Sequence, residues 1–309
     1  MTGARKSVLA GRADEGERLD VFLSTHAAVS RSRAQRLIAE GLAFLDGAPA
    51  RKNHHVSAGE EISWEIPEPE PEEIVPQDAE LGIAYEDEDI IVVDKPAEMV
   101  MYPGPGHSGG TLLNALLARY PDIAGVGGKG RPGVFHRLDR GTSGLVAIAR
   151  SQRAYDAMVA EMRDRQVSRV YEALVVGSMA ADTGTIDAPM ARSRGNRKRM
   201  AVDRVAGRRA VSRFKVLERF ATEFTLLEVT LETGRTHQIR VHFAHVGHPV
   251  AGDPEYSRGR SGKQLGLERQ FLHARRLSFD HPVTGERIAL ESELPQDLRV
   301  VLERLRLGR

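Results

Sequence analysis

The chain has 309 residues, a formal net charge of +1, 41% hydrophobic and 28% charged residues, and no cysteine. That length favours two domains with a sizeable core in one of them. The absence of cysteine excludes disulfides, Cys-ligated zinc and thiol catalysis. No apolar run approaches the roughly 18 residues of a membrane helix, and the N-terminal residues lack the apolar centre of a signal peptide, so a soluble, cytoplasmic protein is expected.

Leu19, Phe22 and Leu23 stand at i, i+3 and i+4 and predict a short amphipathic helix. Ser30 is a candidate N-cap for a second helix, which Gly41 would close. Residues 42–45 read as a strand, and Asp46-Gly47 is a tight-turn signal. Arg33 and Arg36 share a helix face. With Arg31, Arg51 and Lys52 they form either a phosphate-binding patch or an ordinary solvated surface. Residues 67–78, PEPEPEEIVPQD, predict an extended Pro/Glu linker between a module at 1–66 and a larger one at 79–309. From Glu65 to Glu98 there are thirteen acidic residues against one base, Lys95. The rest of the molecule is therefore strongly positive, a pattern that suits a nucleic-acid partner.

In the larger part, residues 90–93 predict a buried strand. Residues 111–119 predict a helix with Leu112, Leu113, Leu116 and Leu117 on one side. Asp139 lies between Arg137 and Arg140 and precedes Gly141-Thr142-Ser143-Gly144 and a strand-like run at 145–149. The glycine-containing turn can aim a carboxylate into a cleft, although a single loop Asp is ordinarily structural. Residues 151–163 predict a helix opened by Ser151, and strands are expected at 168–176, 211–219 and 223–232.

From Arg192 to Arg213, nine basic residues accompany one acid, Asp203. Such a polar, glycine-containing run cannot bury a core. It predicts a surface hairpin or loop in which Arg197, Lys198, Arg199, Arg208 and Arg209 are either candidate nucleic-acid contacts or a solubilising surface. His237, His242, His245 and His248 lack zinc-binding spacing, and no carboxylate set completes a metal site. The 141–144 turn is not a hydrolase nucleophile elbow. Pro295 begins a final helix with Leu298, Val301, Leu302 and Leu305 inward. Strands and helices do not alternate strictly, which predicts an α+β fold with a mixed sheet.

Residues 17–64 resemble the S4 RNA-binding domain, with a basic helix, EGLAFLDG and VSAGEEI in order. FHRLDRGTSGL, around Asp139, resembles the signature of the RluA/RluD type of RNA pseudouridine synthase. The likeness continues through DKPAEMVMYPGPGH (94–107), GTLLNALLAR, SRVYEALVVG (168–177), GRTHQIRVHFAHVGHPVAGDPEY (234–256) and RQFLHARRLSFDHPVTGE (269–286). It covers most of residues 79–300.

The resemblance implies a small S4-like module followed by a catalytic domain on a mixed, largely antiparallel sheet. It implies Asp139 as the catalytic carboxylate, Tyr171 as the ring beside the base and Arg235 as the arginine paired with Asp139. Arg137 would fill the space that a flipped uridine vacates. The implied activity is cofactor-free isomerisation of uridine to pseudouridine; nothing in the sequence demands more than a monomer, and no obligate protein partner is expected. Large-subunit ribosomal RNA is the expected substrate, with tRNA as the alternative. A non-catalytic RNA-binding or ribosome-assembly protein is the reading from another class. A glycoside hydrolase would need a second carboxylate about 5–10 Å from Asp139, and no spacing nominates one. The chain departs from the family at Glu98 and Tyr102, where glycine and histidine are common, and carries Arg169 where many members have lysine.

Overall fold

The computed structural model describes residues 5–308 except 52, 67–73, 105–106, 129, 194, 197–198, 222 and 258–264. The chain divides into two units, residues 1–72 and 73–309. The smaller contains β1 (Lys6–Leu9), α1 (Leu19–His26), α2 (Arg31–Ala39), β2 (Ala43–Leu45), β3 (Ala48–Pro49) and β4 (Glu61–Trp64). Its antiparallel sheet has the order β1-β4-β2-β3. Leu19, Phe22 and Leu23 of α1 pack with Ala34 and Ile38 of α2 against Ile62 and Trp64. The Ser30 hydroxyl caps α2 by accepting from the Arg33 N–H at 3.2 Å. Asp46 and Gly47 both have positive φ, 45° and 83°, as a tight hairpin turn between β2 and β3 requires.

Asp20, at the start of α1, is buried and accepts from Arg18, Arg31 and Gln35. The Arg18 hydrogen bond above all holds its carboxyl well below the usual carboxylate range.

The larger unit runs β5 (Gly82–Glu86), β6 (Ile90–Lys95), α3 (Leu112–Arg119), β7 (Ser143–Ala149), α4 (Gln152–Asp164) and β8 (Ser168–Val176). It continues through β9 (Thr183–Asp187), β10 (Met190–Arg192), β11 (Met200–Val202), β12 (Val211–Phe220) and β13 (Phe224–Leu231). It closes with α5 (Gln238–His245), β14 (Leu272–Asp280), β15 (Arg287–Glu291) and α6 (Gln296–Arg306). Nine strands form one sheet in the order β5-β6-β7-β14-β8-β13-β12-β9, with β15 also on β14. Among the described residues only β7 and β14 pair in parallel, at His273–Ser143 and Ala274–Gly144. The sheet is thus mixed and largely antiparallel, while β10 and β11 form a separate ribbon.

The central strands are apolar on both faces because helices cover both. Ile91 and Val93 of β6 and Val146 and Ile148 of β7 face α3. Their neighbours Ile90, Val92, Leu145 and Ala147 face Ala154 and Met158 of α4. Leu298, Val301 and Leu302 of α6 cover Leu174, Phe224 and Leu226. Among the described residues, no helix is long and apolar enough to cross a membrane.

The linker expected at 67–78 is shorter in its described part. Residues 67–73 lie outside the described residues, but the next residues are bound to the larger unit. Asn114 Nδ2 donates to the Val75 carbonyl at 2.7 Å, the Gln77 N–H donates to the Asn114 carbonyl at 3.0 Å, and Ile74 packs on the core. Ile74 interrupts the Pro/Glu pattern and supplies an apolar anchor, while Val75 is exposed and held through its carbonyl.

Gly144 allows β14 to approach β7. It has φ +106°, and a Cβ there would stand 2.3 Å from the Ala274 carbonyl oxygen. Gly144→Ala is expected to destabilise this unit by about 3 kcal/mol or more through combined strain and overlap. Urea unfolding followed by circular dichroism measures it; a loss under about 1 kcal/mol would contradict this account of the strand pair.

Candidate active site

Asp139 ends the irregular segment that leads into β7, and several bonds fix that segment to its surroundings. The Gly141 N–H donates to the Ala97 carbonyl at 2.9 Å, and the Thr142 N–H to the Asp139 carbonyl at 3.1 Å. Gln270 Nε2 donates to the Arg140 carbonyl at 2.7 Å and to Thr142 Oγ1 at 3.0 Å, and Arg269 Nη1 donates to the Gly141 carbonyl at 3.0 Å. Gly141 has φ +79°, which leaves room for the Gln270 amide that a Cβ would strike. Upstream, His136 Nε2 accepts the Ala147 N–H at 2.9 Å, which leaves the ring proton on Nδ1. Burial, with the nearby Arg169 charge, pushes the His136 imidazole down to about 3. A loop held at this many points can keep one carboxylate still.

The arginine that meets Asp139 is Arg240, not Arg235. Arg240 Nη1 lies 3.6 Å from Asp139 Oδ2, an ion-pair distance longer than a hydrogen bond. The same guanidinium grips Asp253 through both oxygens, at 2.7 and 3.0 Å, and reaches Glu255 at 3.0 Å. Burial opposes its charge, but Asp253, then Asp139 and Glu255, outweigh burial and raise its pKa.

Arg235 instead donates through Nε to the Arg209 carbonyl at 3.1 Å. The physical reason is the turn before α5. Gln238 Oε1 accepts the Arg235 N–H and the Thr233 hydroxyl, while its amide nitrogen donates to Val211 and Ser212. His237 has a left-handed φ of 57°. The chain therefore reverses after Arg235, and the buried first turn of the helix delivers Arg240. Neither sequence neighbour of Asp139 pairs with it: Arg137 Nη1 donates to the Tyr102 hydroxyl, and Arg140 Nη1 lies 2.9 Å from His107 Nε2.

Asp139 opens onto a cavity of about 560 Å³ that Arg137, Arg169, Tyr171, Arg209 and Arg235 also line. The cavity brings together the expected carboxylate, the expected ring and three of the expected arginines. Tyr171 is 5% exposed on the cavity-facing side of β8. Burial raises the pKa of its phenol, so it stays neutral. At the rim, Arg131 stands 4.2 Å and Arg137 5.2 Å from the Tyr102 ring centroid. Nearby Lys95 is fully buried and donates to the Pro96 and Met99 carbonyls, and burial pushes its pKa down to about 8. Glu98 is exposed.

The basic stretch starts at the end of β10 and includes β11, its antiparallel partner in the ribbon. Arg197 and Lys198 lie outside the described residues. Arg199 stands over Tyr256 at 4.8 Å, and the Tyr256 hydroxyl accepts the Met200 N–H at 3.0 Å. Arg208 lines a second cavity of about 400 Å³ with Met190 and Met200. Arg209 shares Glu232 with Arg165 and Arg213. In the smaller unit, Arg31 is bound to Asp20 at 2.9 Å and is thus partly structural. Arg33, Arg36 and Arg51 make no ion pair among the described residues, and Lys52 lies outside them. The histidines of the 237–248 segment serve the fold: His237 meets Tyr256, His242 meets Ser212 and the Ala188 carbonyl, and His248 meets the Val176 carbonyl.

Sequence reasoning missed Arg240, Asp253 and the Arg269-Gln270 pair. A usable signal was present for the first two: an Arg in the opening turn of an apolar helix, QIRVHF, followed by an Asp beside a proline. For Arg269 and Gln270 no local signal distinguishes them from surface residues.

Residues 89–245 match the family described as RNA pseudouridylate synthase, and residues 17–62 match the S4 domain. The chain is 42% identical over 300 residues to an uncharacterised RNA pseudouridine synthase, YlyB, of Bacillus subtilis, covering 97% of each. It is 45% identical over 306 residues to the ribosomal large subunit pseudouridine synthase D of Pseudomonas aeruginosa, covering 95% of this chain and 93% of that one. Among solved structures, human RNA pseudouridylate synthase domain containing 4 matches with a TM-score of 0.57 at 27% identity, covering 73% of this chain and 93% of that one.

Two outcomes test the geometry. Arg240→Met should destabilise the fold by about 3–5 kcal/mol, because it strands buried carboxylates, whereas Arg235→Met should change stability by less than about 1 kcal/mol. Equal losses in urea unfolding would contradict the assignment of Arg240 as the buried partner. For His136, the folded pKa lies below the ordinary 6.5. The unfolded chain therefore takes up its proton first, and stability is lost as pH falls from about 6.5 towards 3. An NMR titration should show the folded His136 ring still neutral at pH 5; a midpoint near 6.5 would refute it.

Proposed function

The chain belongs to the RNA pseudouridine synthase family, and from that premise we propose that it modifies uridine in large-subunit ribosomal RNA with Asp139 as the reacting carboxylate. The observation that carries the reading is the setting of Asp139. Its side chain is 13% exposed in the cavity wall, beside the ring of Tyr171 and against a buried guanidinium. A carboxylate so placed is open to one small ligand and closed to most water.

The reaction breaks N1–C1′, turns the uracil and joins C5 to C1′, with no net oxidation. Asp139 either adds to C1′ or takes the C2′ proton. Arg240 aligns the carboxylate without itself needing to reach the sugar. Tyr171 offers a flat neutral face for the uracil to lie against.

A paired uridine must leave its stack before it can enter the cavity, at a cost of a few kcal/mol. Arg137 stands at the rim on Tyr102 and is suited to enter the gap. The free arginines of the smaller unit, with Arg199, Arg208 and Arg209, supply phosphate contacts. Ribosomal RNA is favoured as substrate because relatives in Pseudomonas aeruginosa and Xanthomonas campestris that cover most of this chain are named ribosomal large subunit pseudouridine synthase D. The cytoplasm, where ribosomes are assembled in bacteria, is the matching location.

Asp139→Asn should abolish pseudouridine formation by the purified protein while leaving RNA affinity within about threefold, since one neutral isostere removes no phosphate contact. An active variant would remove Asp139 from its role. Pseudouridine mapping of RNA from cells with and without the protein tests the substrate. The expected result is a lost site in large-subunit ribosomal RNA; a site lost only from tRNA would overturn that choice.

A further inference from the structure

Arg169 is a charged side chain that the cavity contains and that the steps above do not use. It is 6% exposed. It stands on β8 two residues before Tyr171, so strand alternation puts both side chains on the same buried face. Its only hydrogen bond among the described residues is a long one, 3.5 Å from Nη2 to the Leu231 carbonyl. Its Nε is buried without a partner, and no carboxylate forms an ion pair with it. Gly234 makes room for it, because a Cβ there would stand 2.6 Å from Nη1. The neighbouring arginines are treated differently: Arg165, Arg209 and Arg213 converge on Glu232. An arginine remains charged in any protein setting, and a buried charge without a counter-charge is strongly destabilising. A site that keeps one in the same cavity as its reactive carboxylate is built to receive negative charge from a ligand.

The chemistry of the proposed reaction supplies that charge at a defined moment. When N1–C1′ opens, its electron pair stays on the base, giving a uracil anion whose charge spreads over N1, O2 and O4. C1′ passes to an Asp139 oxygen, or joins a C1′–C2′ double bond if Asp139 takes the C2′ proton. When C5 then bonds to C1′, C5 loses its proton and N1 gains one, and on the second route C2′ recovers its proton from Asp139. Asp139 can act only on the sugar side of this separation. The base side needs a cation, and Arg240 is already committed to Asp253, Glu255 and Asp139.

We infer that Arg169 is the base-side counter-charge: it binds a carbonyl oxygen of the target uracil and stabilises the anion as the glycosidic bond breaks. The inference rests on the reading of the chain as a uridine isomerase acting through Asp139. It makes Arg169 a second catalytic residue, on the opposite side of the bond from the first. The competing role is a static contact to an RNA phosphate.

Single-turnover experiments with excess full-length protein distinguish these roles. The RNA is ribosomal RNA from cells that lack the protein, and a matching transcript made with 5-fluorouridine. Arg169→Met should slow conversion of uridine about a hundredfold or more, with RNA affinity within about threefold, and Arg169→Lys should recover part of the rate. The loss should be smaller on the 5-fluorouridine RNA, where the step followed is the opening of N1–C1′, since C5 carries fluorine and has no proton to lose; fluorine makes the uracil a better leaving group that leans less on the cation.

A loss of affinity with an unchanged rate would assign Arg169 to phosphate and overturn the inference. Equal losses on the two RNAs would overturn it as well, by reducing the residue to packing. Should the methionine variant fail to fold, Arg169→Gln carries the same comparison, and a uridine to 5-fluorouridine rate ratio equal to that of the unaltered protein overturns the inference. An unaltered protein that makes no pseudouridine overturns the underlying reading and this inference with it; an active one with insensitive variants overturns only the inference.

Discussion

The organisation of the larger unit depends on one buried cation. Arg240 donates two hydrogen bonds to Asp253 and a third to Glu255, and makes the longer ion pair with Asp139. These groups come from three separate stretches of chain: the loop before β7, the helix α5 and the turn after it. Burying such a set contributes little net stability, because the desolvation of each charge offsets most of the attraction. It does penalise misplacement heavily. Any shift of α5 against the 253–256 turn or the 139 loop leaves a charge inside the protein without its partner. The network therefore acts mainly as a geometric constraint, and it locates Asp139 without using the loop's own arginines.

The sheet provides the second half of that constraint. β14 pairs with β7 through only two residues, His273 and Ala274, and then turns to β15. The short parallel pairing is enough to bring Arg269 and Gln270, just before β14, onto the carbonyls of residues 140 and 141. Gly144 and Gly141 permit the approach at those two points. The carboxylate is thus held from below by the sheet and from one side by α5. Its remaining side faces Tyr171 and the cavity.

How far the sequence revealed this depends on the range of the interaction. The period-3.6 pattern located α1, α3 and α6, since burial on a face is written in consecutive residues, and the uncharged run at 145–149 read as a strand. The loop carboxylate was legible because glycine and arginine surround it within a few positions. Arg240 was not legible in the same way. Choosing between Arg235 and Arg240 requires the phase at which α5 begins, and that phase is set by the left-handed His237 and by the Gln238 side chain bonding to residues 211 and 212. No periodicity records either feature. The 74–78 segment read as linker for a related reason: Ile74 packs on the core and the Val75 carbonyl meets Asn114 of α3, and composition weighs both residues against the surrounding Pro and Glu.

The same distinction applies to charge. Counting arginines predicts a positive surface but cannot separate those that hold the fold from those left for a ligand. Arg31, Arg213 and Arg240 have carboxylate partners, and their charge is largely neutralised inside the molecule. Arg137 and Arg235 lie at the cavity with only a hydroxyl or a carbonyl to bind. Within the cavity, the lining runs from the Arg137 and Arg235 guanidiniums past buried Arg169 and neutral Tyr171 to the paired Asp139. Such a profile attracts a polyanion to the rim while admitting an uncharged planar group beyond it. A phosphate entering as deep as Asp139 would meet a carboxylate, and a bare sugar would find no flat partner except Tyr171. A nucleoside within a strand satisfies both parts of the profile, with phosphates outside and the base within.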